Sequence, residues 1–428
     1  MSMDDDKKSG LSRRGFLGSA GGMALVSGVL GSQGVAQAAA KAADHAVVGK
    51  GMEPFYGVHQ SGITTPAQQH TYFVALDLET TQRDDVIALL KRWTDGAARL
   101  ARGEPVAPFG DDPEAAPGDS GDAIGLSPAR LTVTFGFGPG LFTKDGVDRY
   151  GLASRRPEAF VDLPRFNGDQ LIPEKTGGDL SIQACADDLQ VAFHAVRQLV
   201  RLAYGTAKVK WAQTGFSGDG SKGTPRNLMG FKDGTANPAT TKPLMDKFVW
   251  VGDEGPQWMR DGSYMVVRRI RIALEHWDRT QLGFQEEVVG RHKYSGAPLG
   301  KQHEFDAADF DATDKDGNLV VPETAHMRLA SPHANNGVQI LRRGYSYNDG
   351  VNFHAERWPP WTQAMEYDAG LLFVGYQKDP RTGFIPVNQK LAAMDMMNQY
   401  TTTNGSGIFA CPPGVKPGSF IGADLFAA

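Results

Sequence analysis

Three side chains of the 428-residue sequence could share one piece of chemistry: the carboxylate of Asp233, the imidazole of His326 and the guanidinium of Arg342. Asp233 stands between two glycines in Gly230-Phe231-Lys232-Asp233-Gly234-Thr235-Ala236-Asn237-Pro238. Glycine permits positive φ and close approach of backbone to a flat ligand, and Asn-Pro ends any helix begun there, so this segment can present a carboxylate into a pocket. His326 lies in Ala325-His326-Met327-Arg328-Leu329-Ala330, and Arg342 in Leu341-Arg342-Arg343-Gly344-Tyr345-Ser346-Tyr347. A proton-carrying acid, a cation for developing negative charge and an imidazole able to hold a metal form a chemically useful set. Taken singly, each has a plainer reading: a turn-forming Asp, a satisfied core histidine, a solvated Arg pair on a strand edge.

The order of these motifs adds what no single one carries. GFKDGTANP, AHMRLASP and LRRGYSY resemble signatures of the dye-decolorising (DyP-type) haem peroxidases, in particular the exported, EfeB-like deferrochelatase/peroxidase branch. Phe160-Val161-Asp162-Leu163-Pro164, Ile182-Gln183-Ala184-Cys185-Ala186-Asp187-Asp188, Gly290-Arg291-His292-Lys293 and Leu371-Leu372-Phe373-Val374 extend the likeness over nearly the whole mature chain. The resemblance implies one non-covalent haem b per chain, hydrogen peroxide as oxidant, an oxoferryl intermediate, and an organic or metal reductant. Cys-x-x-Cys-His is absent from the sequence, which argues against covalently attached c-type haem.

The resemblance also assigns roles. His326 becomes the axial ligand, with a carboxylate on its other nitrogen making it more electron-donating; Asp368 is one candidate for that carboxylate. Asp233 becomes the distal proton shuttle and Arg342 the cation that stabilises charge as the O–O bond breaks. Gly234, Thr235 and Ala236 line the haem face, Arg291 binds a propionate, and Leu371 and Phe373 wall the distal pocket. Where the family tends toward Asn-Pro-Arg, this chain has Ser331-Pro332-His333, placing a second imidazole near the ligand; these three are expected at a haem edge or propionate. Arg343 is expected to make a structural ion pair or touch a propionate. Tyr345, Tyr347, Trp358 and Trp361 are candidates to relay electrons to bulky reductants. Two other functions stay open: iron acquisition, with haem or ferrous iron as substrate, and non-catalytic haem binding.

The elements that must position these residues are legible from periodicity. Strands are expected at residues 72–78, 131–137, 179–186, 263–272 and 370–376, and helices at 82–96, 187–204 and 386–400, with a long Gly- and Pro-rich loop over 101–128. The second half echoes the first. The resemblance specifies an α+β fold of two ferredoxin-like domains with antiparallel sheets, residues 39–215 and 216–428, and haem in the second. Before them, Ser12-Arg13-Arg14-Gly15-Phe16-Leu17 and the Gly- and Ala-rich run to Ala36-Gln37-Ala38 read as a twin-arginine signal peptide, residues 1–38. Export by that machinery to a periplasm or beyond is expected, with iron-uptake partners or a homo-oligomer as further possibilities. A net charge of -5 gives no basic field for nucleic acid. Cys185 and Cys411 are expected to be two buried or free thiols and not a disulfide.

Overall fold

The computed structural model describes residues 51–352 and 365–427; the expected signal peptide and the relay candidates Trp358 and Trp361 lie outside them. The chain opens with strand β1 (His70–Leu78) and helix α1 (Arg83–Leu100), whose Val86, Leu89, Leu90, Trp93, Ala97 and Leu100 recur at helical spacing and are all buried. Strands β2 (Thr132–Phe137) and β3 (Leu180–Ala186) follow, then helix α2 (Leu189–Leu202). Asp188 caps α2 by accepting the Gln190 and Val191 N–H groups, which satisfies donors that a helix start leaves free. The Trp93 indole donates to Leu199 O at 2.7 Å and ties the two helices together. Strand β4 (Ala207–Phe216) closes the first half.

The second half runs β5 (Ser263–Ile272), helix α3 (Leu282–Val289), a single turn α4 (His326–Leu329), β6 (Leu341–Arg342), β7 (Tyr345–Asn352), β8 (Glu366–Gln377), helix α5 (Phe384–Met394) and β9 (Thr401–Cys411). Within the first half the strands lie in the order β2-β3-β1-β4, and within the second β7-β8-β5-β9. The pairings between these strands are all antiparallel.

The sheets are antiparallel as expected, and the strands of the two halves join into one barrel-like sheet. The two sets of strands join edge to edge, β4 to β7 through Phe216 and Ser346 and β2 to β9 through Phe137 and Ala410, and β5 pairs with both β8 and β9. Edge strands that would otherwise leave backbone groups unpaired thereby meet one another. Phe73, Trp211, Met265, Val267, Leu372, Val374 and Phe409, from strands of both halves, form one buried cluster. A separate cluster of Met229, Phe231, Ile272, Trp277, Val288 and Val289 supports the segment that carries Asp233. Cys185 and Cys411 are buried free thiols, as expected.

Candidate active site

Asp233 is held by its own loop. Its N–H donates to Pro225 O at 2.8 Å, and Asn237 N–H closes the turn on Gly234 O at 2.9 Å. Gly234 has φ +119°, a conformation side chains with a Cβ rarely adopt, so the loop depends on glycine here. Below the loop Phe231 is buried edge-on against Trp277, ring centroids 6.1 Å apart. The loop is fastened to β6 by Asn237, whose Nδ2 donates to Arg342 O at 2.8 Å while its Oδ1 accepts the Arg342 N–H at 3.1 Å. That clamp sets Arg342 beside the loop, and its Nη1 donates to Asp233 Oδ1 at 3.0 Å. Sequence reasoning missed Asn237; an Asn just after a Gly turn, with side-chain groups able to mimic backbone, was the available signal.

His326 starts the single turn α4, and its Nδ1 lies 2.5 Å from Asp395 Oδ2. The other oxygen of Asp395 accepts Met397 N–H at 2.8 Å, so the carboxylate is fixed from both sides. Burial works against a proton on His326, but the charge and hydrogen bond of Asp395 outweigh it and raise the imidazole pKa above its ordinary value. Nε2 has no hydrogen-bond partner among the described residues. The expected partner Asp368 is a correction: it accepts from Arg269 Nη2 at 2.8 Å, and Arg269 also pairs with Asp349. Asp395 was missed because residues 386–400 read as one helix. The helix instead stops at Met394, and Asp395 caps the next turn.

Asp233, Gly234, Thr235, Ala236, Arg291, His326, Ser331, Pro332, Arg342, Leu371 and Phe373 all line one cavity of about 960 Å³. Arg291 reaches it because Gly290, at φ +87°, ends α3 in a left-handed turn. Its Nη1 donates to Gly296 O and Glu304 O at 2.7 and 2.9 Å, and burial lowers its pKa. Glu304, unnoticed in the sequence, accepts from Thr235 Oγ1 at 2.9 Å and from Lys232 Nζ, fixing the Asp233 loop to the Arg291 segment. His333 does not line the cavity; it is exposed, with its ring 5.3 Å from that of Phe310. Arg343, just past the end of β6, does not line the cavity; it donates to Thr65 O and Gln68 Oε1, without a carboxylate partner among the described residues. The expected ion pair or propionate contact for Arg343 is therefore corrected. Tyr345 and Tyr347 are 1% and 0% exposed, so neither offers a surface contact for a bulky reductant.

The donor set fits a haem. One imidazole with a free Nε2 can ligate iron, glycine and alanine of the Asp233 loop leave room for a flat ring, aliphatic and aromatic side chains of the lining suit its apolar body, and two arginines can meet acidic groups. Fold and site together describe a haem peroxidase, and the comparisons agree. Profiles of the family described as Dyp-type peroxidase match residues 60–217 with its N-terminal part and 224–416 with its C-terminal part, and the chain belongs to that family. It is 37% identical to a dye-decolorizing peroxidase of Thermobifida fusca (strain YX), over 99% of both chains. It is 39% identical to a deferrochelatase of Escherichia coli (strain K12), over 85% of this chain and 84% of that one. The fold is similar to the crystal structure of a DyP-type peroxidase from Streptomyces coelicolor, with a TM-score of 0.79, 41% identity, and coverage of 90% of this chain and 100% of that one. The chain is a haem-dependent peroxidase, acting on hydrogen peroxide and a reductant.

Proposed function

We propose that this chain binds one non-covalent haem b between His326 and the Asp233 loop and oxidises dye-like, phenolic or metal reductants with hydrogen peroxide. The observation that carries the assignment is the placement of the Asp233–Arg342 pair and the His326–Asp395 pair on the walls of one cavity. Haem, when bound, supplies the iron at which peroxide binds and the store for its two oxidising equivalents. Asp233 takes a proton from one peroxide oxygen and returns it to the other, which leaves as water. The Arg342 guanidinium stabilises the negative charge that develops on the departing oxygen. Asp395 holds the Nδ1 proton of His326, orients the ring and makes Nε2 a stronger donor. Leu371 and Phe373, in the cavity wall, would keep water from the reacting atoms, and Arg291, Ser331 and Pro332, which line the same cavity, would hold the ring, Arg291 by pairing with an acidic group. The test is peroxide-dependent bleaching of an anthraquinone dye by the purified holoprotein and by Asp233→Ala. Equal bleaching by both proteins removes Asp233 from the mechanism.

The deferrochelatase relatives favour a second reading for the same site, release of iron from haem. Its mark is an intact, iron-free porphyrin product, recognised by its fluorescence. Export through the twin-arginine machinery to the periplasm or the outside is proposed from residues 1–38, and loss of export on replacing Arg13 and Arg14 by lysine tests it. The shared strand order of the two halves, β2-β3-β1-β4 and β7-β8-β5-β9, supports reading residues 39–215 and 216–428 as two ferredoxin-like modules of a duplication, with the haem site in the second.

A further inference from the structure

Among the described residues, five methionines line the cavity: Met229, Met327, Met394, Met396 and Met397. Four of them cluster at the axial side. Met327 follows His326 directly, and Met394, Met396 and Met397 flank Asp395. Methionine often fills irregular core gaps, and Met259 and Met265, each 0% exposed, do that elsewhere in the fold. A thioether facing a cavity in which peroxide is activated has a further property: its sulfur gives up two electrons readily and accepts an oxygen atom.

We propose that Met327, Met396 and Met397 form a peroxide-dependent modification site, oxidised to sulfoxides when no external reductant is present. This rests on the peroxidase site assigned above. The step balances without oxygen crossing the ring: the thioether gives up two electrons and takes its oxygen from water, which releases two protons, and peroxide, its O–O bond broken, takes those electrons and protons and leaves as two waters. Sulfur is oxidised by two electrons, peroxide is reduced by two, and no reactant besides solvent water is needed.

Modification at this position reaches the axial ligand. Met396 and Met397 pack on the apolar cluster of Met229, Phe231 and Trp277, whose packing a polar sulfoxide disturbs. The Met397 N–H also holds Asp395 Oδ1, and Asp395 Oδ2 holds His326. A sulfoxide that shifts this turn loosens the carboxylate on which the imidazole depends. Peroxide without reductant therefore switches the protein off from the axial side.

Peptide mass spectrometry of the holoprotein tests this, with sulfoxide at the three positions normalised to Met52, which is partly exposed and lies outside the cavity wall. Three samples receive the same peroxide: holoprotein alone, holoprotein with excess anthraquinone dye, and the Asp233→Ala holoprotein. The expected result is a high ratio in the first sample that falls by at least about tenfold in the third, the size of effect expected on losing a proton carrier, and falls in the second as dye competes. In a companion measurement, the Met396→Leu/Met397→Leu protein, whose volumes are nearly conserved, should complete more turnovers before losing its haem spectrum. A ratio equal in all three samples assigns the oxidation to free peroxide and overturns the proposal. Dye bleaching without sulfoxide at these positions overturns it while leaving the peroxidase site intact, and absence of both overturns the two together.

Discussion

Asn237 grips the backbone of Arg342 at both its N–H and its carbonyl, with bonds of 3.1 and 2.8 Å, and so joins the loop that carries the acid to the strand that carries the cation. The two side chains meant to act on peroxide are thus registered against each other by a third that need not touch it. Asn237→Ala is expected to slow the reaction with peroxide by about tenfold, roughly 1.4 kcal/mol of barrier, without loss of haem. Asn237→Asp keeps the acceptor and loses the donor, and should fall between. Stopped-flow haem absorbance measures both, and an unchanged pH profile together with an unchanged rate in Asn237→Ala would remove the clamp from the mechanism.

Asp233 and Arg342 share a hydrogen bond of 3.0 Å and should act as a unit. Asp233→Ala and Arg342→Leu are each expected to slow the peroxide reaction by at least about tenfold, or roughly 1.4 kcal/mol. The double variant should lose less than the sum, because groups in contact are coupled. Strict additivity of the two barriers, measured by the same stopped-flow experiment, contradicts joint action.

The raised pKa of His326 sets a direction for haem uptake. A protonated imidazole cannot ligate iron, so haem affinity of the haem-free protein should increase as pH rises through the elevated pKa. The folding contribution runs the other way: the charged pair with Asp395 stabilises the haem-free fold fully below the ordinary histidine pKa and is lost as pH rises through the raised one. Asp395→Asn, which removes the charge, should shift the affinity profile to lower pH. Haem titrations across about pH 5 to 8, where histidine ordinarily titrates, check this, and coincident profiles for the two proteins would refute it.

Asp169, carried by the first half of the chain, pairs with Arg268 of β5, and both lie in the cavity wall with side chains 4% and 3% exposed. Asp169→Ala leaves a buried guanidinium without its partner and should cost about 3–5 kcal/mol of stability. Denaturant unfolding of the holoprotein measures it. A loss below about 1 kcal/mol, the worth of an exposed pair, would show that the pair is not sealed from solvent.

Local patterns were legible and long-range ones were not. The strand expected over 263–272 matches β5 residue for residue, because a long run of Tyr, Val and Ile, buried nearly throughout, needs no distant information. Asp233, His326 and Arg342 were legible because each sits in a short motif, and they meet in one cavity. Asp395 was hidden by 69 residues of separation and by a helical pattern that continues past it. Asp368 looked suitable, yet its position on β8 gives it to Arg269. The merging of the two sheets was invisible, since each junction rests on a single residue pair.

Those junctions bear on how the molecule is made. Phe137 and Ala410 are separated by 273 positions (410 − 137), whereas pairings inside each four-stranded set span less of the chain. Bringing remote segments together carries the larger loop-closure entropy. Each set can complete its internal hydrogen bonds before the Phe137–Ala410 junction shuts the ring like a clasp at one narrow point, and residues 166–170 of the first half complete the cavity wall beside β5. A chain assembled in that sequence keeps its ligand chamber accessible until the final step of its own folding.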